Sequence, residues 1–179
     1  MKQLENMARW RNYPMGPTLQ KLLGISQDQS KTGSARTLGE DEVQGFSDFL
    51  CEHFSKQQPD KYPDFSALLE ELVAMRLPEA GLILYESCDF NIEGDFGAHL
   101  ALGNLAMLAG RPATAEGFFL KANAINDKEI APYTNLCQIY LQTERNDEAL
   151  QWLRGGLAVE PNYRLLWEFA YEVFIALDK

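Results

Sequence analysis

Three cysteines and two histidines are the side chains best suited to hold a metal or act as nucleophile and base. Their spacing offers neither chemistry. Cys51, Cys88 and Cys137 are far apart, no Cys-x-x-Cys occurs, and His53 and His99 are widely separated. A zinc site needs closely paired ligands, and a disulfide framework needs an even, dense set of cysteines. The reading is therefore no metal, no cofactor, and three reduced thiols that pack as small apolar residues. Phosphate-binding loops are missing as well, because no Gly-x-Gly and no Gly-x4-Gly-Lys occurs. No Gly-x-Ser-x-Gly elbow is present. Glu70 and Glu71 are adjacent, so a helix turns them to different faces and they form no shared acid–base pair. The chain is expected not to be an enzyme.

The elements that carry these residues are helices, and they recur. Tyr133, Leu136, Cys137, Tyr140, Ala149, Leu153, Gly156 and Pro161 form one set. Thirty-four residues earlier stand His99, Leu102, Gly103, Ala106, Ala115, Phe119, Ala122 and Asp127. One step further back stand Phe65, Leu68, Leu69, Leu72, Gly81, Tyr85, Cys88 and Glu93. One step forward gives Trp167, Ala170, Tyr171 and Phe174. Within a set the early residues recur at three or four positions, one face of a helix. The later small residues open a second stripe, where small side chains let two helices approach. Gly110-Arg111-Pro112 and Glu144-Arg145-Asn146-Asp147 mark turns between the stripes. Pro112 suits a first helical turn, and Asn146 or Asp147 suits a cap. Helix pairs are expected at about 62–76 with 79–91, 96–109 with 112–125, and 130–142 with 146–158, then a last helix at about 163–178. His99, on an aromatic position of this pattern, is read as a core residue. Gly97, Gly103 and Gly110 are read as small or turn positions.

These residues resemble the tetratricopeptide repeat, whose pattern is W-x2-L-G-x2-Y, then A-x3-F, then P. The match is fullest at 130–163 and 96–129, where Tyr133 stands for the Trp, Cys137 for the Gly and Leu153 for the Phe. The 62–95 unit departs from it, with Leu69 at the Gly position and Glu93 at the Pro position. A closing helix, 164–179, brings the Trp as Trp167. The resemblance implies an all-α fold: an α-solenoid of stacked antiparallel helix pairs with a C-terminal capping helix.

It also implies a concave groove lined by the first helix of each pair. Carried over position by position, that groove takes Ser66, Glu70 and Val73 from the first unit. Leu100, Asn104, Met107 and Leu108 come from the second, Thr134, Gln138, Leu141 and Gln142 from the third, and Glu168 and Glu172 from the closing helix. Such a surface suits a peptide or helix of another protein with apolar anchors and basic flanks. One subtype of the family grips a C-terminal carboxylate with lysines, an arginine and asparagines. Here Ser66, Ala131 and Thr134 occupy sites where lysine would serve, and Asn104 alone makes no clamp.

The N-terminal third is different. Residues 1–40 include a Ser-, Gly- and Thr-rich stretch at 26–40 that reads as a flexible linker. Ahead of it, Met7, Trp10, Tyr13, Met15, Leu19, Leu22 and Leu23 have no core of their own and should dock elsewhere. Residues 41–61 read as a capping helix, a relic second helix whose partner is lost.

Charge narrows the function. The net charge is −10. Residues 1–61 hold eight basic and eight acidic residues, whereas 62–179 hold eight basic against eighteen acidic. A surface of that sign repels nucleic acid. No apolar run reaches the length of a membrane span, and no secretory leader opens the chain, so a cytoplasmic location is expected. The leading expectation is an adaptor or scaffold that binds a protein segment in the groove. One alternative is a secretion-type chaperone. Its size, acidity and three-repeat layout are similar to those of type III chaperones that hold hydrophobic translocators. The other is self-assembly through residues 1–25, with Trp10 and Tyr13 docking into a second copy.

Overall fold

The computed structural model describes residues 40–55, 65–88 and 90–177. Trp10 and Tyr13, residues 26–39 of the expected linker, and the side chains of His53 and Phe54 lie outside them. Among the described residues there are eight α-helices and no strand. The all-α repeat fold that the resemblance implies is the fold observed. The chain divides into two compact units that part between Glu93 and Gly94.

The first unit holds α1 (Glu40–Ser55), α2 (Phe65–Ala74) and α3 (Pro78–Ser87). Phe46, Ser47, Phe49 and Leu50 form the buried stripe of α1, and Phe65, Leu68, Leu69 and Leu72 that of α2. Helix α3 stops at Ser87, earlier than the expected 91. Beyond it the chain turns at Asn91, whose side chain accepts a hydrogen bond from the Glu93 N–H at 3.0 Å. Phe90 folds back to stack on Phe65, with ring centroids 3.8 Å apart. Helix α1 packs mainly on α3, and more closely than α2 does. That is not the position of a relic second helix, which would lie against the first helix of the next pair.

The second unit holds α4 (Phe96–Leu108), α5 (Pro112–Ile125), α6 (Ile130–Gln142), α7 (Asn146–Val159) and α8 (Arg164–Leu177). Helix α4 packs against α5, α6 against α7, and α5 against α6; α8 closes the unit against α6 and α7. Asp95 caps α4 by accepting from the Ala98 N–H at 2.9 Å. Asn146 and Asp147 do not cap α7; Arg145 holds that position without a side-chain cap. Asn146 is already helical, and Asp147 and Glu148 fall in the first turn, where carboxylates favour the helix N-terminus.

One turn geometry joins the helices of each pair. Arg76, Gly110 and Glu144 all have left-handed φ, at 54°, 69° and 58°. They stand 34 residues apart. Each donates to the carbonyl three residues back, on Val73, Met107 and Leu141. The next residue, Leu77, Arg111 or Arg145, donates to the carbonyl five back, on Leu72, Ala106 or Tyr140. This is the Schellman closure, which satisfies carbonyls left open at a helix end.

Small residues set the spacing within a pair. A Cβ at Gly103 would stand 2.3 Å from the Phe119 ring, so α4 and α5 meet as closely as they do only because Gly103 has none. At Gly155 a Cβ would meet the Tyr133 ring at 2.8 Å, and at Gly156 the Leu166 side chain at 2.7 Å. Ala115, Ala122 and Ala149 are fully buried. The residue equivalent to Gly103 in the first unit is Leu69. Its bulk forbids the same approach, and α3 finds its main packing on α1 instead.

Candidate protein-binding face

The expected groove residues of the second unit lie on its first helices, α4, α6 and α8. Leu100, Asn104 and Met107 are half-buried and Leu108 is exposed on α4. On α6, Gln138 and Gln142 are exposed and Leu141 is half-buried. Glu168 and Glu172 are exposed on α8. The Asn135 side-chain N–H2 donates to Asn104 Oδ1 at 3.4 Å, which shows α4 and α6 adjoining along this face. Thr134 needs correction. It is buried, and its hydroxyl donates to the Ala131 carbonyl of its own helix at 2.9 Å, so it offers the face no polar contact. Ser66 and Val73, half-buried, and Glu70, exposed, lie on α2 in the first unit.

Towards α8 the face opens into a pocket of about 510 Å³, lined by Leu141, Gln142, Glu144, Asn146, Glu172 and Ala176. Leu141 and Ala176 supply apolar wall, Gln142 and Asn146 supply amides, and Glu144 and Glu172 supply two carboxylates. Among the described residues no cation forms a salt bridge with either carboxylate. Glu168, by contrast, pairs with Arg164 at 3.0 Å on the exposed side of α8. The pocket therefore joins an apolar wall to uncompensated negative charge.

The walls are held firmly. The Tyr140 hydroxyl donates to Glu116 Oε1 at 2.8 Å, and Arg145 bonds Glu116 Oε2 at 2.6 Å and Glu148 through both remaining guanidinium nitrogens. Arg145 also lies over the Tyr140 ring, 4.4 Å from its centroid. This cluster ties α5, α6 and α7 together beside the pocket. Burial, and then the Glu116 carboxylate, push the Tyr140 hydroxyl up to about 12. The hydrogen bonds from Arg145 hold Glu148 below the usual carboxylate range. Behind Leu141, Cys137 is buried, and its thiol is pushed up to about 12, first by that burial and then by the Glu172 carboxylate. His99 is buried too: Nδ1 donates to the Asp95 carbonyl at 2.8 Å and the ring lies 6.3 Å from that of Phe118.

An aromatic contact also recurs. The Tyr133 hydroxyl donates to the Asp127 carbonyl at 3.0 Å, and Trp167 Nε1 donates to the Pro161 carbonyl at 2.8 Å. Both reach six residues back, and both donors and acceptors stand 34 residues apart. Residues 106–169 match the tetratricopeptide repeat family. Over that span, about a third of its length, the chain is similar to tetratricopeptide repeats. No curated protein matches the sequence. Tetratricopeptide repeats generally mediate protein–protein interaction. Among the described residues no group of three or more His, Cys, Asp or Glu side chains is placed to hold a metal ion, and no helix is long and apolar enough to cross a membrane.

Sequence reasoning missed Glu144, Asn146 and Ala176 as pocket residues and Asn135 as the partner of Asn104. The sequence marks Glu144 as a turn residue and Asn146 as a turn or cap residue. The usable signal was the recurring left-handed turn, whose third copy puts Glu144 in the pocket wall with Glu172.

Proposed function

We propose that this tetratricopeptide-repeat protein is an adaptor that binds a segment of another protein along the first-helix face of its second unit. The open pocket between α6 and α8 carries the reading. Its apolar wall of Leu141 and Ala176 suits a Leu-, Met- or Phe-sized anchor, and burying one contributes roughly 1.5–3 kcal/mol. Glu144 and Glu172 favour a Lys or Arg next to that anchor, chiefly through the rate of encounter and the choice of partner. Gln138 and Gln142 continue the face with amides that can bond a peptide backbone. The preferred occupant is thus an extended or helical segment with an apolar anchor followed by basic residues. The acidic rim discourages a client that is apolar throughout, which favours an adaptor over a translocator-type chaperone.

Partner recovery tests it. The doubly substituted Leu100→Glu, Leu141→Glu chain is compared with the unsubstituted one by affinity purification after crosslinking. Both side chains are partly exposed, so the fold tolerates the change, which circular dichroism verifies. Loss of the main partner supports the reading; recovery of every partner at unchanged yield sinks it.

A further inference from the structure

Two cysteines that stand far apart in the chain meet in the first unit. Cys51 lies near the C-terminal end of α1, one turn after the fully buried Ser47 and next to the fully buried Leu50. It sits on the edge of the stripe that α1 turns inward. Cys88 is the C-cap of α3. Helix α1 packs mainly on α3, and the side chain of Ser87, the last residue of α3, hydrogen-bonds the Cys51 thiol. That bond places the Cys51 sulfur beside the residue that precedes Cys88. The backbone of Cys88 is pinned on both sides. Its N–H donates to the Leu84 carbonyl at 3.1 Å, and its carbonyl accepts from the Phe90 N–H at 2.9 Å. Both thiols are half-exposed, whereas Cys137 is buried in the second unit. The pair also interacts electrostatically: burial raises the Cys88 thiol first, and Cys51 beside it adds to the rise.

We propose that Cys51 and Cys88 are a dithiol modification site, which exchanges with a small-molecule disulfide and closes into a reversible bond that staples α1 to the end of α3. The tie acts on the element that the repeat register holds least, since that register does not specify where α1 lies. The exchange balances in two steps. One cysteine gives up its proton and attacks a sulfur of the small disulfide, forming a mixed disulfide and expelling one thiolate. The other cysteine, also deprotonated, attacks the protein sulfur of that mixed bond and expels the second thiolate. The two thiolates take up the two protons, so two protein thiols are oxidised and one disulfide is reduced to two thiols. The Ser87 hydroxyl favours Cys51 for the first attack, because a donor to sulfur stabilises the thiolate. Burial works the other way and raises both thiols. Closure is therefore slow. The closed bond then resists reduction, because the reduced form gains none of the thiolate stabilisation that makes a disulfide easy to open. Closing the long loop between Cys51 and Cys88 also restricts the unfolded chain, which stabilises the first unit.

The test incubates the full chain with oxidised glutathione, quenches free thiols by alkylation, and reads intact mass and linked peptides. The expected product is a chain lighter by two hydrogens, with one peptide joining Cys51 to Cys88, Cys137 unmodified, and full reversal by dithiothreitol. The Cys88→Ser chain should stop at a glutathione adduct on Cys51. In thermal melts the linked chain should unfold at least about 5 °C above its reduced form. The Cys51→Ser, Cys88→Ser chain should melt alike with and without oxidised glutathione. Three results would overturn the proposal: stable glutathione adducts on both cysteines with no link, a link between two chains in place of one within a chain, or a linked chain that melts no higher than the reduced one.

Discussion

The helix pair α2–α3 and the pair α4–α5 share one turn and differ in almost everything the turn leads to. Both close through a left-handed residue, Arg76 or Gly110, with the same two backbone hydrogen bonds. Then they diverge. In the second pair Gly103 admits the Phe119 ring, and the helices pack along their length. In the first pair Leu69 and Tyr85 take those positions, α3 is only ten residues long, and α1 supplies much of its packing. The turn is a local property of a few backbone groups and survives sequence drift. Helix approach depends on one missing side chain and does not.

The comparison can be broken by substitutions at matched positions. The largest effect is expected for Phe119→Ala, which empties a fully buried site and should cost about 3–5 kcal/mol in chemical denaturation. Tyr85→Ala, at the equivalent but half-buried position, should cost nearer 1 kcal/mol. Equal costs would mean the two pairs pack alike after all. Next comes Gly103→Ala, whose new methyl meets the Phe119 ring. A loss of about 1–3 kcal/mol is expected from overpacking, and a neutral result would show that the ring moves aside freely.

Smaller effects sharpen the point about the turn. Gly110→Ala should lower stability by about 1 kcal/mol, because a Cβ is strained at its φ. Arg76→Gly and Glu144→Gly should each raise stability by about 0.5–1 kcal/mol, since those residues already bear that strain. Opposite signs at the three positions are the expected pattern in thermal melts; a single sign throughout would refute a shared turn.

The smallest perturbation is chemical labelling of thiols. Burial raises all three, Cys137 furthest, to about 12, while Cys51 and Cys88 are half-exposed. A raised thiol holds less reactive thiolate at neutral pH, and the fraction grows as pH rises towards its folded value. Labelling of Cys51 and Cys88 should therefore quicken between about pH 7 and about pH 9, whereas Cys137 should label only on unfolding. Mass spectrometry of the labelled chain distinguishes these; early labelling of Cys137 would place it outside the core.

The helices of the second unit were legible in the sequence because every strong signal there agrees. Aromatic, small and turn residues recur in one register, and Pro112 marks a helix start that the structure keeps. The first unit was less legible, because Leu69 and the early end of α3 break the register and α1 takes a position the repeat does not specify. The binding face was half legible. The register places Leu100, Gln138, Leu141 and Glu172 on first helices, but Thr134 shows its limit: whether a residue on that face reaches solvent depends on its neighbours in space. The pocket is not legible because Glu144 comes from a turn and Asn146 from the first position of α7, and only the packing of α8 brings them together with Leu141 and Glu172.

The account rests on the first-helix face being where a partner segment lies. A photo-crosslinking residue placed at Gln138, exposed on α6, tests this most directly when compared with one at Lys121, exposed on α5. The account predicts crosslinks to a partner protein from position 138, lost when Leu141 is also changed to Glu, and few or none from position 121. Crosslinks from 121 alone, or crosslinks from 138 that Leu141→Glu leaves intact, would contradict it.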